Sequence, residues 1–133
     1  MRRPLALLAL PLLTLSACGN TVSTASFKGA QHEVAQTIAN LQSDATTAEQ
    51  KKICANDLAA AVVRRLGGSK RCEAAIKSQL TEISNLEVRV ESVKVASDAT
   101  TATAAVRSVH EGKSKAGTLS LLKEGGKWKI SGL

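Results

Sequence analysis

Tyrosine is absent from this 133-residue chain, and its only Phe and Trp are Phe27 and Trp128. Proteins that grip single-stranded nucleic acid stack successive bases on aromatic platforms, so the chain offers no such groove. There are two histidines, His32 and His110, and three cysteines, none in a Cys-x-x-Cys pair. Metal-ligand spacing is therefore missing, and no metal or other cofactor is implied. No Gly-rich phosphate loop follows a strand, and no nucleophile elbow accompanies the many serines. His32 and Glu33 are sequence neighbours, which do not face one another on a helix. His110 has only Glu111 beside it. No run of five like charges occurs. The longest apolar stretch, Leu5 to Leu15, covers about eleven residues, short of the ~20 that a membrane-spanning helix needs.

That stretch has a different use. Arg2 and Arg3 precede it, Pro4 and Pro11 break it, and the small residues Ser16 and Ala17 close it. A positive start, a short apolar middle and a small-residue end compose a secretory signal. The quartet Leu15-Ser16-Ala17-Cys18 also resembles the lipobox of bacterial lipoproteins. The resemblance implies cleavage before Cys18 and a lipid on its sulfur. Residues 1–17 are then the signal, 18–26 the lipidated cysteine with a small polar tether, and 27–133 one folded domain. Two or more acyl chains, at ~0.8 kcal/mol per buried methylene, hold a protein on a membrane stably. The expected location is the exported side of a cell or outer membrane. An ordinary secretory peptide with an incidental cysteine is the rival reading.

Loss of residues 1–17 leaves 116 residues, with 16 Lys and Arg against 11 Asp and Glu, so the formal charge falls from +7 to +5. The basic residues are spread along the chain. They fit a solvated surface, or contact with an anionic envelope component. The two remaining cysteines, Cys54 and Cys72, would meet an oxidising compartment and pair there. A metal ligand role is the weaker alternative, because neither histidine is near in sequence.

Phe27 opens a helical pattern in which Val34, Ile38 and Leu41 recur at i, i+4 and i+7. The polar residues 42–47 interrupt it. Thr46 and Glu49 have capping-box spacing, which places a second helix near Ala48. Asn56-Asp57 is expected to restart or kink that helix, and Gly67-Gly68 to stop it. Ser69 then reads as the N-cap of a third helix carrying Cys72, Ile76 and Leu80 on one face. From Leu86 the period becomes two. Leu86, Val88 and Val90 share one phase and Val93 and Val95 the other, which implies a β-bulge at Glu91-Ser92. Residues 100–110 form a strand whose Ala102, Ala104 and Val106 let a helix approach closely. Residues 111–115 read as a loop and Thr118–Lys123 as a third strand. Gly125-Gly126 supplies a tight hairpin, which sets Leu121 opposite Ile130 and Lys123 opposite Trp128. The expected class is α+β: two to three N-terminal helices packed on a curved four-stranded antiparallel sheet.

This order, with the bulged strand LEVRVESVKV, the strand ATTATAAVRSV and the ending LSLLKEGGKWKISGL, resembles the cystatin-like, nuclear transport factor 2-like superfamily. More narrowly it resembles its small bacterial lipoproteins. The resemblance implies a cone between helices and sheet. It names no activity, because that fold hosts enzymes, ligand carriers and adaptors. Its isomerase-type members use an Asp base with a Tyr or acidic oxyanion donor. This chain has no Tyr, and Asp44, Asp57 and Asp98 sit at helix edges or in a turn, so no catalytic residue is carried over. The expectation is a non-enzymatic, monomeric, lipid-anchored binding or scaffolding module. A carrier of a small apolar ligand in the cone, and a reduced isomerase, are the alternatives. Trp128 is expected in the core, with the Lys123 stem over its ring, or else at the mouth of the cone. Recognition, if present, is expected on Lys113, Lys115, Lys127 and Lys129; the rival is a solvated face with no partner.

Overall fold

The structure, a computed structural model, describes residues 23–82 and 87–132. The signal segment, Cys18, most of the tether and Leu86 lie outside the described residues. A turn closed by the Phe27 amide on the Thr24 carbonyl leads into the first helix. Helix α1 (Ala30–Thr46) starts after Gly29, whose φ of 61° only glycine adopts easily. Val34, Ala35 and Ile38 are its buried stripe, with Leu41 packed partly against the core.

The polar stretch after Leu41 does not end the helix. The Thr46 and Thr47 hydroxyls donate back to the carbonyls of Gln42 and Ser43, at 2.8 and 3.0 Å. Such back-bonding lets these residues finish a helix instead of opening one. Ala48, at φ 54°, then reverses the chain, and α2 (Gln50–Lys52) begins without a side-chain cap. The capping-box expectation is thus corrected. The chain continues as a π-helical turn (Ile53–Asp57) that buries Ile53, Cys54 and Asp57. The expected break near Asn56-Asp57 follows at Leu58-Ala59, which is extended. There Ala59 donates to the Ile130 carbonyl at 2.8 Å and Leu58 bridges Ile130. This joins the helical layer to the sheet.

Helix α3 (Ala60–Arg65) ends at Gly67 and Gly68, with φ of 97° and 98°. Helix α4 (Ser69–Glu82) takes its first bond from the Cys72 amide to the Gly68 carbonyl. Gly68, not Ser69, is therefore the entry residue. Cys54 and Cys72 are disulfide-bonded, with Cα atoms 6.1 Å apart. The bond ties the π-helical turn to α4.

The sheet has the order β1-β2-β3-β4, all antiparallel, with β1 Glu87–Val95, β2 Thr101–His110, β3 Lys113–Glu124 and β4 Lys127–Gly132. The β1–β2 register slips between Val90 and Ser92. The slip brings Val88, Val90, Val93 and Val95 to one face, all against the core. Strand β3 starts five residues earlier than expected. Only Glu111-Gly112, at φ 50° and 75°, forms the turn. The early half of β3, Lys113–Thr118, is exposed throughout and shows no apolar alternation to reveal a strand. The chain is an α+β domain with helices on one face of the sheet. Ala102 and Ala104 are almost fully buried and lie in one core with α1's Val34, Ala35 and Ile38. Leu121, Trp128 and Ile130 complete that core.

Candidate functional site

One end of α1, the π-helical turn and the β3–β4 hairpin enclose an open cleft of about 490 Å³. It is lined by the polar residues His32, Glu33, Gln36, Thr37 and Asn40 from α1, Asn56 and Asp57 from the turn, and Lys127 and Trp128 from β4, which present more apolar than polar surface to it. Such a volume lies in the range of small-molecule sites. Trp128 belongs to both the core and the cleft. It is 5 % exposed, the Lys123 ammonium stands 5.7 Å from its ring centroid, and its indole N–H donates to Glu33 Oε2 at 3.3 Å. The His32 ring nitrogen Nδ1 meets the Thr24 carbonyl at 3.2 Å.

Asp57 is the most unusual group of the site. It is 4 % exposed, and its Oδ2 is buried without a conventional hydrogen-bond partner. Burial pushes its pKa up to about 8, and a hydrogen bond with the Asp44 carboxyl and that group's charge push the same way. The charges of Lys129 and Lys52 act against the rise. A second carboxyl group close by disfavours the charge on Asp57, so Asp57 keeps its proton at neutral pH. Asp44 and Asp57 lie thirteen positions apart, across a break between helices, and their pairing has no periodic signal. The available sign was that Asp57 follows Cys54 at i+3, one helical turn from a buried half-cystine.

The four lysines expected to share a surface do not share one. Lys113 and Lys115 sit by the β2–β3 turn, with Lys113 opposite His110. Lys127 pairs with Glu124 at the far end of β3, about 30 Å away at ~3.3 Å per strand residue. Lys129 is half-buried, and its ammonium donates to the carbonyls of Asn56 and Ala55 at 2.5 and 3.4 Å. It closes the end of the π-helical turn and faces Asp57. Reversing Lys113, Lys115 and Lys127 to glutamate is expected to move stability by no more than ~0.5 kcal/mol each. Lys129→Glu is expected to cost more, on the order of 1 kcal/mol, because the Asn56 and Ala55 carbonyls lose a charged donor. Thermal unfolding of the four single variants separates the two cases.

His32 and His110 are not brought together: one lines the cleft and the other lies at the β2–β3 turn. Among the described residues no cluster of three or more His, Cys, Asp or Glu side chains gathers. No helix among them is long and apolar enough to cross a membrane.

No protein family profile matches the sequence, and no curated protein matches it. Among solved structures, the chain is similar to a de novo designed protein with a curved β-sheet, at 22 % identity and a TM-score of 0.38. That match covers 47 % of this chain and 58 % of the designed one. It is also similar to the intermembrane space region of the chloroplast protein ARC6, at 14 % identity and a TM-score of 0.33, over 72 % of this chain and 91 % of that one. At these scores neither likeness bears on function.

Proposed function

We propose that the protein is an exported, non-enzymatic binding module of the bacterial envelope, anchored by lipid on Cys18. The observation that carries the reading is the Cys54–Cys72 bond. Both half-cystines are buried, at 7 % and 0 % exposure, and a structural disulfide belongs to an oxidising compartment. A chain that opens on an export segment reaches one. The helices-on-sheet arrangement supports the resemblance to small lipoproteins of the cystatin-like group. The space between α1 and the sheet is occupied by Val34, Ile38, Leu121, Trp128 and Ile130. That filling favours a binding module over a carrier of apolar ligands in the cone, and leaves the open cleft beside Trp128 as the place for a small ligand.

Acid–base chemistry at Asp57 is the second reading, favoured by its burial beside that cleft and its raised pKa. Against it, the buried Oδ2 is shielded from solvent.

The anchoring is tested by Cys18→Ser. The parent protein is expected in the membrane fraction after a high-salt wash, and the variant in the soluble fraction with its disulfide formed. A variant that stays wholly with washed membranes rejects the lipid anchor.

A further inference from the structure

The turn between α3 and α4 carries four cations within eight residues: Arg64, Arg65, Lys70 and Arg71, all exposed. Among the described residues the ion pairs involve Lys52, Arg107 and His110, and none of these four. Arg65 alone is held, donating to the Ser131 carbonyl at 3.2 Å. Between the two pairs stands Leu66, exposed at 36 % and the one large hydrophobic residue so exposed among the described residues. The Arg71 side chain lies across Gly67, at a position any Cβ there would occupy.

The placement of Lys70 and Arg71 is informative. Arg64 and Arg65 end α3, where a helix welcomes positive charge. Lys70 and Arg71 open α4, where positive charge is unfavourable, and no acidic residue offsets them in that first turn. The Arg71 stem covers Gly67, but the start of α4 gains nothing from the two positive charges. An external anion explains them.

We propose that the α3–α4 corner docks on an anionic phospholipid surface, with Arg64, Lys70 and Arg71 meeting head groups and Leu66 entering between them. Charge selects an anion, and Leu66 selects a lipid surface, since a soluble polyanion has no use for an exposed leucine at the centre of the patch. The membrane is within reach under the lipid-anchor reading, on which the proposal rests only for proximity. Nine residue steps from Cys18 to Phe27 span at most ~32 Å. The corner then acts as the second attachment signal that a lipid chain uses to gain firm binding.

The experiment uses the full chain carrying Cys18→Ser, so that no lipid is attached and failure of the anchor reading leaves the result unaffected. Co-sedimentation is measured with vesicles of phosphatidylcholine alone and with ~30 % phosphatidylglycerol. The score is the difference between the two, compared between parent and variants, because the contribution of Arg2, Arg3 and the apolar segment is the same in each. Binding is expected to be stronger on the anionic vesicles and to fall with salt. Lys70→Glu with Arg71→Glu should reduce the difference about tenfold or more. This variant should melt no lower than its parent, because the new charges suit the start of α4, so unfolding cannot account for the loss. Leu66→Ser should weaken binding several-fold. Equal sedimentation on both vesicle types, or full binding after charge reversal, overturns the proposal. So does unchanged binding of Leu66→Ser together with displacement by soluble polyphosphate, which would assign the corner to polyanions.

Discussion

Replacing Cys54 and Cys72 together with alanine is expected to lower the unfolding free energy by about 3 kcal/mol. Seventeen residues separate the two cysteines, and closing a loop of that length limits the unfolded chain by about this amount in the chain-entropy model. The loss has a place as well as a size. Helix α4 has α2, the π-helical turn and α3 as its main neighbours, so the bond is its firmest link to the rest of the domain. Helix α1 and the four strands share a separate core. Hydrogen exchange should therefore accelerate more in Ser69–Glu82 than in β2. Denaturant unfolding of the oxidised protein and the double alanine variant gives the magnitude. A difference under ~1 kcal/mol, with equal exchange in α4, would show that packing alone holds that helix.

The sheet was legible where one face is buried. In β1 the apolar phase changes from Val88 and Val90 to Val93 and Val95, and only a bulge keeps all four on one side. The register slip between Val90 and Ser92 is that bulge. The two glycines after Glu124 set the β3–β4 register, with Leu121 opposite Ile130 and Lys123 opposite Trp128. Where burial is missing, the pattern is silent. Lys113–Thr118 pairs with β2 through the backbone ladder and through polar contacts of Arg107 and Ser108, and buries no apolar side chain, so its exposed residues look like a loop. The helical region failed for another reason. Thr46 and Thr47 compete equally well as a cap for the next helix and as back-bonded members of the last, and their hydroxyls bond back to Gln42 and Ser43. The site was least legible. The Asp44–Asp57 contact and the Lys129 bonds to the π-helical turn join residues distant in sequence, and composition does not encode such meetings. A lysine read as solvent-facing by alternation proved to face a carbonyl cluster, because the extended Leu58-Ala59 segment runs alongside β4 at Ile130.

Asp57→Asn is expected to stabilise the protein, and to do so more as pH rises. The folded state holds the Asp57 pKa near 8, against an ordinary value of 3.8. Between these values the folded chain keeps a proton that the unfolded chain has released. Stability falls with rising pH wherever the folded state binds more protons. This group's favourable contribution is thus complete below about pH 4 and is lost progressively up to about pH 8, where the buried carboxyl must ionise beside Asp44. Asparagine keeps the shape and the hydrogen-bonding capacity of the protonated acid and cannot ionise. Near pH 4 the variant should match its parent within ~1 kcal/mol. At pH 8 its advantage should be on the order of 2–5 kcal/mol, the upper figure following from about 1.36 kcal/mol per pKa unit and the lower from relaxation around Lys129 and Lys52, whose charges already oppose the shift. Thermal unfolding of both proteins from pH 4 to 9 measures the widening gap. Parallel curves would mean that Asp57 titrates normally, and that neither a retained proton nor acid–base chemistry resides at this end of the cleft.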